Sequence, residues 1–378
     1  MTPISEVSSL AHRPFESIPA AGSKSPSGTN DTAMATAITA NRLDFRAERA
    51  TTTTTAMPVS QPDTTAAATT RPMSYCIFQE PWWLDAVAPG AWRDITVTSG
   101  GVVRARWPIY QERRGLFDVI TLPPLTHRLG PWLDLGDATK SSRRYELEKD
   151  LTVALLEQLP PYDILQVNCH SGITNVLPFV WAGFEESARY TYVIDLTRSE
   201  TELWDALREN IRRESRKARK QLRVETIDDV AECIRLIGKT YARQGNPNPF
   251  DSPAMHRLNA ACAERGRREM LVARDERGAI HAAIYLVWDA TTTYYLAGGA
   301  DPELRTSGAH SLLMWEALVR SRARSTEFDM TGSMVESIER FFRAFGGQQR
   351  IYFSLNKMSR RARFAWHGKK MLQALFGR

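Results

Sequence analysis

The sequence predicts an α/β protein made of two consecutive mixed-sheet units behind a disordered N-terminal tail. Three observations carry this expectation. Aromatic density rises abruptly at residue 74, the chain beyond it repeats one order of elements twice, and both halves close on similar segments, WAGFEESARYTYVIDL (181–196) and FRAFGGQQRIYFSLNK (342–357). Self-similarity of this kind marks a duplicated unit.

The tail, residues 1–73, has Phe15 and Phe45 as its only aromatics and is dominated by Ala, Thr, Ser and Pro. Such a segment cannot bury enough apolar surface to offset chain entropy, so it reads as disordered. Its six acidic residues balance six basic ones, which places the whole formal charge of +6 on residues 74–378. The 378 residues, 43% hydrophobic and 24% charged, leave room for two domains. A mild basic excess permits nucleic acid, an anionic membrane or a phosphorylated substrate and does not choose among them.

The four cysteines are dispersed, with no CxxC pair, so neither a zinc site nor a disulfide scaffold is expected and a reducing compartment is the default. No stretch of 18 apolar residues occurs, and the N-terminus lacks the charged start and apolar run of a secretion signal. The expectation is a cytoplasmic protein without integral membrane insertion. No metal or prosthetic group has a motif.

The first unit, residues 74–197, opens with a hairpin, 95–98 and 104–110, around Ser99-Gly100-Gly101. A third strand at 117–122 leads into the Pro/Gly-rich loop LPPLTHRLGPWL. A helix at 142–158 stops at Pro160-Pro161, and strands at 163–168 and 189–195 flank a helix-like piece at 175–181. The second unit, 198–357, starts at the capping box Ser199-x-x-Glu202. Leu203, Leu207, Ile211, Ala218 and Leu222 then form one apolar stripe. Arg208, Arg212, Arg213, Arg216, Lys217, Arg219, Lys220 and Arg223 cover the other side of a single expected helix. Helices at 229–243 and 253–265, strands at 270–274, 280–288 and 292–297, helix 311–322, strand 327–330, helix 336–345 and strand 350–355 complete the unit. A basic helix at 358–378 ends the chain.

Two segments carry chemistry. RTSGAH, residues 305–310, lies between a strand and a helix N-terminus. Its small residues let the backbone N–H groups of Ser307, Gly308, Ala309 and His310 converge on an anion, with Arg305 adding charge. The second, FDMTGSMVESIERFFRAFGG (328–347), puts Asp329 at a strand's C-terminal edge, Ser333 in the next turn, and Glu336, Glu339 and Arg340 on the next helix. That edge is where α/β sheets bind ligands. Acyl transfer to an amine needs a carboxylate to take its proton, for which Asp329 and Glu339 are the candidates, and a proton donor to the leaving group, for which Tyr294, Tyr295 or His310 would serve. Ser333, Glu336 and Arg340 are candidates for holding the acceptor. The same residues suit ordinary roles: Asp329 as a turn cap, Glu339 paired with Arg343 at i,i+4. Cys169-His170 points toward a nucleophile pair but has no third partner in view.

The strand, RTSGAH loop and helix resemble the GNAT acyltransferases, whose R/Q-x-x-G-x-G/A loop holds the pyrophosphate of acyl-coenzyme A; Arg305 and Gly308 match, and His310 departs from the usual Gly or Ala. The 329–342 run, with LPPLTHRLGPWL and ARYTYVIDL, resembles the FemAB-like branch, over about residues 78–356. The resemblance implies two tandem GNAT-like units, of which only the second has a pyrophosphate loop, because Pro123 and Pro124 remove donors from the first. It implies an N-acyltransferase moving an acyl group from acyl-coenzyme A, as co-substrate, to a small-molecule or peptide amine. Two alternatives stand beside it. One is aminoacyl transfer from tRNA, which would employ the basic helix but lacks the long coiled-coil insertion of the peptidoglycan members. The other is a non-enzymatic binding module with a degenerate cleft.

Overall fold

The computed structural model describes residues 73–376 except 244 and 246; the tail expected over 1–73 lies, but for Met73, outside the described residues. In the first half the hairpin forms from β1 (Trp92–Ser99) and β2 (Val102–Arg114), with Gly100 and Gly101 supplying the positive φ of the turn. Then follow β3 (Phe117–Thr121), the two-residue β4 (Trp132–Leu133) inside the Pro/Gly-rich loop, β5 (Ile164–Asn168) and β6 (Glu185–Asp195). The second half contributes β7 (Leu222–Ile227), β8 (Arg268–Asp275), β9 (Ile280–Trp288), β10 (Thr292–Ala300), β11 (Glu327–Asp329) and β12 (Gln348–Met358).

These strands make one sheet in the order β1-β2-β3-β5-β12-β6-β11-β10-β9-β8-β7, with β4 paired to β2 off this path. The order reveals an exchange. Each half has one parallel pair, β3 with β5 and β10 with β11, and beside each pair lies the closing strand of the other half. The exchanged strands β12 and β6 pair antiparallel from Gln348↔Val193 to Asn356↔Glu185. The similar segments noticed in the sequence are therefore these two neighbours at the centre of the sheet.

Ten helices among the described residues cover it. In the first half α1 (Pro81–Val87), α2 (Ser141–Glu157) and α3 (Leu177–Trp181) appear, and in the second α4 (Glu200–Ala206), α5 (Glu209–Arg219), α6 (Val230–Arg243), α7 (Pro253–Glu264), α8 (Ala309–Ser321), α9 (Glu336–Arg343) and α10 (Arg360–Phe376). One core packs α2 and α3 on the first half around Trp107, Leu155 and Phe179. A second lies on one face of the second half under α6 and α7, and it takes in Phe78, Trp83 and Leu84 from the start of the first half. A third, on the opposite face, packs α4, α5, α8 and α9.

One expectation needs correction. The single basic helix is two helices and a strand: Leu207 and Arg208 are extended (ψ 140° and 148°), the Arg208 N–H donates to Ala344 O, and Arg223 sits on β7. The extended pair turns α5 so that Ile211 and Ala218 reach the core independently of Leu203. Helix α1 went unread because its Trp82-Trp83 start looks like any aromatic cluster, though Pro81 at its first turn favours a helix start. His281 on β9 is buried, with Nε2 3.2 Å from Asp275 Oδ2.

Gly332, just after β11, has φ +81°, and a Cβ there would overlap Tyr190 O of β6. Gly332→Ala is therefore expected to lose about 2 kcal/mol or more, as backbone strain plus displacement of a strand in the central pair. Denaturant unfolding of the two proteins measures it.

Candidate functional site

The parallel pair β10–β11 stops at Tyr294↔Asp329, where β11 ends. Asp329 is 4% exposed and Arg128, from the first half's Pro/Gly-rich loop, 1%. Arg128 Nη1 lies 2.6 Å from Asp329 Oδ2, and Asp329 Oδ1 accepts from Thr191 Oγ1 at 2.5 Å and from the Thr331 N–H at 2.8 Å. The Arg128 guanidinium also stands 4.8 Å over the Tyr352 ring. Burial alone would raise the Asp329 pKa, but Arg128, Thr191 and the Thr331 N–H together hold it below its ordinary value. The carboxylate is thus ionised and saturated with donors.

Tyr294 points to the same face. Its hydroxyl donates to Asp289 Oδ2 at 2.7 Å, its ring meets Phe78 edge-on, and burial, with Asp289 adding to it, pushes its pKa well above the ordinary value. Asp289 also accepts from the Ile77 N–H, so this tyrosine fastens the N-terminal segment to the second half. Tyr295, one residue on, faces the opposite core, its hydroxyl 3.2 Å from His310 Nε2. Burial pushes His310 down to about 4, leaving a neutral imidazole. A Cβ on Gly298 would overlap the Tyr295 hydroxyl, so the glycine makes room for this pair.

Glu339 lies on the Tyr295 side, since it bonds Tyr192 while Asp329 bonds Thr191, and adjacent strand residues point to opposite faces. The Tyr192 hydroxyl donates to Glu339 Oε1 at 2.5 Å, and Arg343 Nε is 3.2 Å from the same oxygen. The structure therefore separates Asp329 and Tyr294 from Glu339, His310 and Tyr295 by the thickness of the sheet. Ser333 Oγ accepts from the Val335 N–H, and Glu336 pairs with Arg340 at 2.9 Å on the exposed side of α9.

The loop before α8 forms as the sequence suggests, a short 3-10 turn at Arg305–Ser307 followed by Gly308 with φ +80°. Arg305 is exposed and has no ion pair among the described residues. The anion cradle, however, is partly used. The Ser307 N–H donates to Leu304 O, and the Ala309 N–H to Ser307 Oγ at 3.3 Å. Helix α5 lies against the loop: a Cβ on Gly308 would come within 2.6 Å of Glu214 O, Lys217 Nζ donates to Thr306 O at 2.9 Å, and Ser311 Oγ donates to Glu214 Oε2 at 2.8 Å. A carboxylate of the chain's own thus stands at the positive end of α8.

Residues 205–343 match the family model of the acetyltransferase (GNAT) domain. The crystal structure of FemX superimposes with a TM-score of 0.55 at 13% identity, covering 80% of this chain and 94% of that one. The fold is that of the FemAB-like GNAT proteins. Two solved structures lie further off. They are the C-terminal domain of a putative lysylphosphatidylglycerol synthetase from Agrobacterium fabrum (TM-score 0.47, 13% identity, 78% of this chain and 93% of that one) and a tandem GNAT protein from the clavulanic acid biosynthesis pathway (TM-score 0.42, 13% identity, 73% and 86%). No curated protein sequence matches the chain.

The chain thus carries an acyltransferase domain of the GNAT kind in its second half. Sequence reading found its loop but missed Arg128, Thr191, Tyr192 and Glu214. An arginine in the otherwise uncharged run LPPLTHRLGPWL was the one available signal for a buried cation. The Cys169-His170 idea finds no support: Cys169 is buried with its thiol pushed up to about 12, and burial takes His170 down to about 4. Among the described residues no group of three His, Cys, Asp or Glu is placed to hold a metal, and no helix is long and apolar enough to cross a membrane.

Arg128→Met and Asp329→Asn are each expected to cost about 3–5 kcal/mol, because each strands a buried charge, while the double variant should cost less than the sum. The pH dependence has a definite sign. Asp329 titrates below its usual 3.8 in the folded state, so its contribution is full above that value and fades as pH falls through the folded pKa. Acid unfolding monitored below about pH 4 should accordingly be shallower in Asp329→Asn than in the parent.

Proposed function

We propose that this protein is an N-acyltransferase that joins an acyl group to an amine acceptor and takes it from RNA, as aminoacyl-tRNA, rather than from coenzyme A. The observation that carries the choice of donor is Glu214. A pyrophosphate bound by the loop would have to share the first turn of α8 with the Glu214 carboxylate, against both charge and space. An ester on the 3′ end of RNA makes no such demand. Of the basic residues around α5, Arg212, Arg216 and Arg219 are engaged by Asp205, Glu209 or Glu316, whereas exposed Arg213, Lys220 and Arg223 have no ion pair among the described residues. Those three are the phosphate contacts on this reading.

In the transfer, the neutral amine attacks the ester carbonyl, the new C–N bond forms, the C–O bond to ribose breaks, and the amine's surplus proton goes to a base, which returns it to the departing ribose oxygen. Glu339 suits that role better than Asp329, because its side chain is 25% exposed and its partners Tyr192 and Arg343 fix its position. Asp329, saturated by Arg128, serves as a positioning residue between the halves. Acyl-coenzyme A remains the second reading, favoured by exposed, unpaired Arg305 beside the loop.

Filter binding of total aminoacyl-tRNA at several salt concentrations, and calorimetric titration of acetyl-coenzyme A, distinguish the two. RNA should bind and coenzyme A should not. Changing Arg213, Lys220 and Arg223 together to Gln should lower the slope of log K against log salt by about 2–3. Glu339→Gln should leave RNA affinity intact and slow transfer by about 10²–10⁴-fold. Tight coenzyme A binding lost in Arg305→Ala, with RNA affinity unchanged by the triple variant, would reverse the choice.

A further inference from the structure

The first half contains a cavity of about 520 Å³ that borders its core at Leu133 and Ile173, a size that suits a small-molecule ligand. It lies between the start of α2, the β4 strand with the loop after it, and the turn at 172–175. Its walls are partly aromatic, from Tyr75 and Trp132, and its polar groups are Asp134, Arg144, Glu148 and Asn175.

Those groups are not equally available. Asp134 is taken by Arg104 at 2.8 Å, and the Tyr75 hydroxyl is fixed by the backbone of Leu133, as donor at 3.1 Å and acceptor at 3.2 Å. Glu148, half-buried, accepts one hydrogen bond, from Asn175 Nδ2 at 3.0 Å. Arg144 is exposed and makes no ion pair among the described residues. Arg144 and Glu148 are i and i+4 on α2, neighbours on one helix face with the geometry for a mutual salt bridge, yet they do not form one. Both line the cavity instead. It therefore presents a guanidinium at its mouth and a carboxylate further in, one helical turn apart, with an aromatic wall beside them.

We propose that this cavity binds a small zwitterion, a compound of the amino acid or short peptide class whose carboxylate meets Arg144 and whose ammonium meets Glu148, which Asn175 holds in place. The guanidinium fork matches a carboxylate in bidentate fashion, and the free Glu148 oxygen takes an ammonium proton. A ligand with only one of the two charges satisfies one group and leaves the other to water, so both charges together define the class. The site stands apart from the choice of acyl donor, since none of its residues belongs to the loop before α8 or to α9.

Thermal unfolding of the full chain tests it, with L-alanine, β-alanine and L-alanyl-L-alanine as zwitterionic probes and ethylamine and acetate as singly charged ones, all at equal millimolar concentration and ionic strength. At least one zwitterion should raise Tm by about 3 °C, and neither singly charged probe should match it. Arg144→Gln and Glu148→Gln, neither of them a core position, should keep the Tm of the unliganded parent and lose the shift. Should a variant be unstable, ¹⁵N chemical-shift changes at Asn175 in the parent give the same reading without it. The proposal is overturned if no zwitterion shifts either Tm or the Asn175 resonance, if ethylamine or acetate does as well alone, or if the shift survives undiminished in both variants. Absence of RNA binding leaves this result untouched, so failure here and failure of the donor assignment are separately visible.

Discussion

Taking a guanidinium and a carboxylate out of water costs several kcal/mol for each ion, and such a pair is tolerable only where each charge finds the other and the spare lone pairs find donors. Arg128 and Asp329 meet that condition with contributions from both halves: a loop of the first, the end of β11, Thr191 on β6 and Tyr352 on β12. The four segments converge because β6 and β12 have changed places in the sheet. Loss of register in any one would leave a charge buried without its partner. The pair thus ties the end of the parallel pair β10–β11 to the integrity of the first half.

The same arrangement sorts the ionisable groups by face. On one side, Tyr294 and Asp329 are closed to solvent and, with half-buried Asp289, hold structure together. On the other, Glu339 keeps contact with water while Tyr192 and Arg343 restrain it. Similar residue types thus end in different roles according to which neighbour on β6 they meet, Thr191 or Tyr192.

How much of this was legible in the chain depends on the range of the interaction that decides each feature. The turn at Gly100-Gly101, the cap at Ser199-x-x-Glu202 and the 305–310 loop are decided within a few residues, and their local signals are sufficient. The likeness of 181–196 to 342–357 announced a duplication. It carried no information on which half each strand would join, because pairing is settled by partners more than a hundred residues away. The break at Leu207 and Arg208 was invisible for a related reason. The apolar stripe continues across it, and only the Ala344 carbonyl explains why the backbone leaves the helix. Arg128 with Asp329, 201 positions apart, and Glu214 with Ser311, 97 apart, are contacts that no window of sequence contains.

The exchange of closing strands also sets a timetable for biosynthesis. The first half's β5 has β12 as its neighbour, and β12 ends at Met358, roughly 160 residues after β6 is complete. At about 5–20 residues per second that interval is about 10–30 seconds, during which β5 offers an unpaired edge and β6 waits first for β11 and then for β12. A nascent chain in that state is exposed to pairing with copies of itself on the same message. The native sheet can close only after β12 has emerged, which makes its completion a late event dominated by distant contacts.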